Sequence, residues 1–198
     1  MINLNSDLLD KEHYTILDNG SIVETYPIIN GHVNPETYLG MKYDIEQYQV
    51  FIKSKNDLKI IKNCQKKDEA IALLILLNKK YFERPQIDVA ISRRLRELIN
   101  DKKFVDAECI LEQYLHGYYS INQLKDNEIC LLKDNNGLVN IIFNGDIIIS
   151  SARLSRGYVA LFNYSYLLMF FDKLFKEIDK TLDIKELYHE LASEFIKN

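Results

Sequence analysis

The sequence predicts an α+β protein in which antiparallel β-meanders each lead into a buried helix, joined by a central helix pair and closed by a C-terminal helix. Three observations predict it. Residues 14–62 alternate apolar and polar side chains between turn residues, then give way to the unbroken apolar run 70–77. The same order returns from Tyr118 to Phe162 and the apolar stretch that begins at Tyr166. Between the two, residues 86–115 place their apolar side chains at helical spacing. The reading divides the chain into a meander-plus-helix lobe (1–83), a connecting helix pair (84–117) and a second lobe (118–198), which can also pack as one domain. The halves do not align residue by residue, so a duplicated unit and two unrelated α+β lobes both fit.

Each element has its own signal. Residues 13–17 and 21–29 flank Asp18-Asn19-Gly20, hairpin chemistry that calls for positive φ at its centre. Pro27 lacks an amide donor and puts its strand at a sheet edge or ends regular pairing there. Residues 30–35 read as loop. Residues 48–53 and 58–62 read as a second hairpin with a longer connection through Ser54 and Asp57. The helix from about Lys67 to Phe82 is apolar around most of its circumference, which predicts burial between layers. Pro85 suits the first turn of a helix over 86–99, marked by Ile87, Ile91, Leu95 and Leu98. A further helix runs from about Lys103 to Leu115 and is closed by Gly117. Strands follow at 118–121, 129–133, 138–143 and 147–152, with turns at Asn135-Asn136-Gly137 and Asn144-Gly145. After Arg156-Gly157, Asn163 can cap a helix reaching Lys180, and Asp183 with Glu186 resembles a capping box opening a last helix through Ile196.

Composition excludes several classes. Hydrophobic residues at 47% and charged residues at 27% are ordinary for a globular chain, so neither disorder nor a fibre is indicated. A net charge of −4 gives no broad electropositive surface, which makes nucleic acid an unlikely partner and leaves room for a basic protein one. Cys64, Cys109 and Cys130 lack any paired spacing, so each reads as a small buried hydrophobe in a reducing compartment. The start of the chain lacks a basic segment followed by an apolar one, and the near-apolar run 158–171 is shorter than the roughly 20 residues that span a bilayer. The expectation is a cytoplasmic protein with no membrane contact. The bias toward Ile, Asn, Lys and Tyr is that of an AT-rich bacterial or phage genome.

No motif supplies chemistry. There is no Gly-rich nucleotide loop, and 7 glycines leave few places where backbone amides can cradle phosphate. His13, His32, His116 and His189 are scattered, and Glu186 with His189 lacks a third ligand nearby. Ser150, Ser151 and Ser155 lie beside Arg153 and Arg156 without a nucleophile elbow and read as strand-to-loop polar residues. Cys130 sits in an apolar strand, where burial makes a thiol inert, so pairing with His116 is not expected. Asp126-Asn127-Glu128 and the segment from Asp134 to Gly137 read as turns rather than cation loops. No cofactor, metal or catalytic residue is assigned. Two features point to contact instead. Arg93, Arg94 and Arg96 with Lys102 and Lys103 form a basic segment interleaved with Glu97, Asp101 and Asp106, read as a solvated helix face. Thirteen tyrosines without a tryptophan, among them Tyr38, Tyr43, Tyr48, Tyr118, Tyr119, Tyr158, Tyr164 and Tyr166, either roof a small core or furnish a binding surface.

The run from Glu128 to Lys133, the Asn-Gly turn, Ser155-Arg156-Gly157-Tyr158 and the helix carrying Phe170-Phe171-Asp172-Lys173-Leu174 resemble the small immunity proteins of bacterial polymorphic toxin systems. In the first half, Lys67-Asp68-Glu69-Ala70 is similar to the start of their apolar helix. The resemblance covers about 60 residues of each half. It implies a cytosolic inhibitor that binds a cognate protein toxin and blocks its active site or substrate route, with no catalytic group of its own. The competing expectations are a small intracellular enzyme whose groups converge only in space, and a nucleic-acid-binding regulator using the Arg93–Lys103 segment.

Overall fold

The computed structural model describes residues 8–10, 12–83 and 85–197. These residues form an α+β protein with two sheets. They divide into two compact units, the first sheet and its helix with Leu174–Leu191, and Pro85–Lys173 with Ala192–Lys197. The boundaries differ from the sequence segments: the helix pair groups with the second sheet rather than standing as a connector, and residues 174–191 group with the first.

In the first unit β1 (Tyr14–Asp18), β2 (Ile22–Ile29), β4 (Thr37–Asp44), β5 (Gln47–Ser54) and β6 (Asp57–Cys64) are antiparallel neighbours in that order, and the short β3 (His32–Val33) pairs with β2. Residues 30–35, expected as loop, hold the tight turn Asn30-Gly31 at φ 52° and 78° together with β3. Pro27 falls where β2 leaves β4: that ladder ends at Thr25, and β3 takes over at Ile28. The missing amide therefore sits in a gap between partners. The first hairpin turn has positive φ at Gly20 alone, because Asp18 and Asn19 side chains accept from the amides of Gly20 and Ile22 and hold the rest. Between β5 and β6 only Lys55 and Asn56 intervene, a shorter connection than expected.

Side chains alternate across this sheet. Val23, Thr25, Leu39, Met41 and Val50 point to one face and are buried against α1 (Lys67–Phe82), which packs on β4, β5 and β6. Residues 69–78 of α1 are all buried, so the helix lacks a wet face, as its composition predicts. Its interior polar group is satisfied. The Thr25 hydroxyl bridges Leu39 O at 3.0 Å and Asn78 Oδ1 at 2.9 Å, Asn78 Nδ2 donates to Leu74 O at 2.8 Å, and the Tyr14 hydroxyl donates to Asn78 O at 3.1 Å. At the other end of α1 the half-buried Lys62 ammonium pairs with Glu69 at 3.0 Å and with Glu190. Burial pulls the Lys62 pKa down, and the two carboxylates outweigh it and hold it above the ordinary lysine value.

The second unit starts with α2 (Val89–Asn100), whose first amides are capped by Asp88 rather than by a turn containing Pro85. Next come α3 (Phe104–Leu115), β7 (Tyr119–Ile121), β8 (Ile129–Lys133), β9 (Val139–Phe143) and β10 (Asp146–Ala152). The order is β10-β9-β8-β7, antiparallel except that β7 and β8 run parallel. This departs from an antiparallel meander. The return loop 122–128 is short for a parallel link, and Asn122 and Asn127 at φ 57° and 59° make it possible. The α4 helix (Leu154–Leu182) begins well before Asn163, which therefore is no cap and instead accepts from the Ser92 hydroxyl at 3.3 Å. Gly157 lies inside the helix and lets it approach β9: a Cβ there would stand 2.2 Å from Val139 Cγ2. Asp183 at φ 51° ends α4, donating its amide to Asp179 O, so the final α5 (Tyr188–Lys197) starts later than a cap at Asp183 would set it.

Thr25→Val removes the hydroxyl while keeping the shape, leaving Asn78 Oδ1 buried without a donor. Urea unfolding should show a loss of about 1–3 kcal/mol, mostly recovered in the Thr25→Val/Asn78→Leu pair.

Candidate protein-binding face

The face of the first sheet turned away from α1 gathers aromatic and exposed apolar side chains. Strand register assembles it: Tyr26 sits beside Thr15, Leu17 beside Glu24, Glu24 beside Gly40, Gly40 beside Phe51, and Phe51 beside Ile60. Its centre is aromatic. The rings of Tyr26 and Tyr38 lie 4.4 Å apart, Phe51 meets Tyr38 edge-on at 6.4 Å, and Lys53 Nζ stands 5.7 Å from the Tyr38 ring centre. Gly40 makes room for this cluster, since a Cβ there would fall 2.4 Å from Phe51 Cζ and 2.8 Å from Val23 O. Phe51 and Tyr38 are closely enclosed, whereas Leu17 at 54%, Leu58 at 52% and Ile60 at 36% leave apolar side chains in solvent around them. A shallow depression lined by Leu17, Asp18, Asn19, Ile22 and Glu24 closes one end. The Tyr26 hydroxyl donates to Glu24 Oε2 at 2.7 Å, and desolvation with that neighbouring carboxylate pushes its pKa up. The face thus presents flat aromatic area with a polar tip and carries no activated nucleophile.

The residues singled out in the sequence do not converge elsewhere. Tyr38 and Tyr158 are buried, Tyr43 is 52% exposed against Tyr48, and Tyr118 donates to Asp172 at 3.0 Å. Tyr119 donates to Glu112 and Tyr158 to Glu108, and burial beside Glu108 pushes the Tyr158 pKa up to about 12. Tyr164 and Tyr166 are half-buried. Most tyrosines therefore roof the cores, and Tyr26 with Tyr38 serve the open face. Arg93, Arg94 and Arg96 stand exposed on α2, with Arg94 3.8 Å from Glu97, and Lys102 and Lys103 are exposed at its end. His116 pairs with Glu112, whose pKa the ring and the Tyr119 hydroxyl hold below the carboxylate norm. Cys130, by contrast, is enclosed by the Ser120 hydroxyl at 3.1 Å and the Lys125 amide at 3.3 Å. Glu186 pairs with Lys66 and His189 packs on Tyr188, and no cluster of His, Cys, Asp or Glu suited to a metal occurs among the described residues. Ser150 and Ser151 lie in β10 and Ser155 in α4. Cys109 is exposed, against the expectation of burial, because its position on α3 faces away from Ala107 and Leu111. No helix among the described residues is long and apolar enough to cross a membrane.

Leu17, Phe51, Lys53, Leu58 and Ile60 are not singled out by the sequence, and no strand is assigned there over β4, although its Tyr38 and Tyr43 are singled out. The signal was the alternation itself, which assigns faces only once hairpin registers are known. No family model, curated protein or solved structure matches the chain.

Two outcomes are expected. Gly40→Ala should lower unfolding stability by about 1–3 kcal/mol in urea, because the Val23 carbonyl cannot move aside as Phe51 can. Stability should also fall from pH 9 toward pH 12. Burial pushes the Cys64 thiol up to about 12 from 9.0, so over that window the folded chain keeps a proton that the unfolded chain has released. Unfolding measured across this range should lose up to ~1.4 kcal/mol per pH unit from this group, so wild type should fall more steeply than Cys64→Ala, which keeps only the loss due to its buried tyrosines.

Proposed function

We propose that this protein is an inhibitor of the immunity class, binding a cognate bacterial toxin domain and blocking its active site or the path to it. The observation that carries the reading is the open face of the first sheet, where an enclosed Tyr26–Tyr38–Phe51 cluster is ringed by exposed Leu17, Leu58 and Ile60. Interfaces concentrate affinity in such rigid aromatic centres with a water-excluding surround. A standard interface buries about 1,600 Å² over both partners, an extent that a five-stranded open face can supply from one side. The work of an inhibitor needs shape and charge rather than a reactive group. Among the described residues, the carboxyl groups with displaced pKa values, Asp10, Glu112 and Glu186, are all displaced downward, which favours binding over an enzyme that must hold an acid protonated near neutrality. Cytoplasmic residence follows from this reading and belongs to it.

A second reading rests on the exposed Arg93, Arg94 and Arg96, which with Lys102 and Lys103 could grip a nucleic-acid backbone. Replacing all five by alanine would then weaken binding and flatten its salt dependence.

Co-expression with the C-terminal domain of the adjacent large open reading frame tests the first reading. Growth should be restored and the two proteins should co-purify. Leu58→Glu with Ile60→Glu, at exposed positions that leave the fold intact, should abolish both effects. Rescue that survives these charges would remove the sheet face as the contact surface.

A further inference from the structure

We infer that the turn between β4 and β5 is the anchor of the interface, with Ile45 entering an apolar pocket on the partner protein whose rim is basic. The inference rests on the inhibitory binding proposed above and names the contact that fixes it. A two-residue hairpin turn of this kind needs positive φ at both central positions, which is why Asn, Asp and Gly usually fill it. The chain follows that rule twice, with Asn30-Gly31 at 52° and 78° and Asn144-Gly145 at 47° and 86°. Between β4 and β5 it breaks the rule with Ile45 at 46° and Glu46 at 62°. For a β-branched residue this conformation is a true outlier. Strain of this sort is concentrated at clamps and contact sites.

Ile45 bears a second cost, because it is 86% exposed, more than any other large hydrophobic side chain described. An Asn-Gly turn would remove both costs without altering the hairpin. The turn is also stiff. The β4–β5 ladder is unbroken from Thr37–Ser54 to Asp44–Gln47, and Tyr43 packs against Tyr48 with tilted rings 4.9 Å apart immediately behind the tip. A side chain held out on a rigid support loses little freedom on docking, which is how an anchor gains affinity. Lys42 and Asp44 neutralise one another at 3.4 Å, leaving the exposed Glu46 as the unbalanced charge beside Ile45. That single negative charge asks for a basic rim around the pocket. The tip is also continuous with the sheet face, since the Tyr43 amide bonds Ser21 O next to the depression lined by Asn19 and Ile22.

The test compares wild type with Ile45→Asn/Glu46→Gly. The double variant should melt at a higher temperature than wild type while binding the toxic domain of the adjacent reading frame about 30-fold or more weakly and failing to restore growth. Equal affinity in the two proteins, or a melting temperature no higher in the variant, overturns the anchor while leaving the inhibitory reading standing. Wild-type protein that neither binds nor rescues overturns both. Sedimentation of the wild type alone completes the comparison: a dimer that the double substitution dissolves would make a second copy the occupant and overturn the basic-rimmed partner pocket.

Discussion

Burial of α1 is the constraint on which the rest of the first unit depends. A helix with apolar residues on every side has no stable position at a surface, so the sheet has to supply a continuous wall for it. The strands respond by alternation. Each sends every second side chain to α1, and the two polar residues that the helix carries within its buried stretch, Glu69 and Asn78, meet Lys62 and Thr25 from the sheet. These pairs also fix where the helix lies along the strands, because a one-residue slip would strand both groups in an apolar wall. Packing provides the attraction and the polar contacts provide the position.

Once that face is committed, the opposite face is released from the demands of the core. It uses the freedom to gather Tyr26, Tyr38 and Phe51 over the gap left by Gly40. A side chain at position 40 would lift Phe51 off the sheet and separate it from Tyr38, so a single missing methyl group organises the aromatic centre. The same division of labour appears in the second unit, where Gly157 brings α4 down on Val139 and the close packing is built on the absence of a side chain.

The class of the fold and most helices and strands were readable from periodicity, because an all-apolar run of eight residues and strict alternation have few alternatives. The failures have physical causes. Asn163 looks like a cap, but α4 is already running there, since Gly157 is helical for reasons of packing that no local pattern announces. Asp183 looks like the start of a helix and instead terminates one through the left-handed conformation. The parallel pairing of β7 with β8 depends on two asparagines at positive φ, a tertiary choice that turn statistics do not reveal. The open face was hidden for a similar reason: Tyr26, Tyr38 and Phe51 belong to three strands and share a surface only through register. The strained turn was hidden because Ile45-Glu46 is the very pair that turn chemistry advises against.

The contact between Lys62 and Glu190 has a consequence for synthesis. Residue 62 leaves the ribosome long before residue 190, and the segment 174–191 completes the unit that holds the first sheet. Until that segment has emerged, Lys62 lacks one of the two carboxylates that hold it beside α1. Such long sequence separation slows folding and prolongs that wait. The first unit is therefore closed by residues made more than a hundred positions after its sheet, and the sheet cannot complete its unit until they arrive.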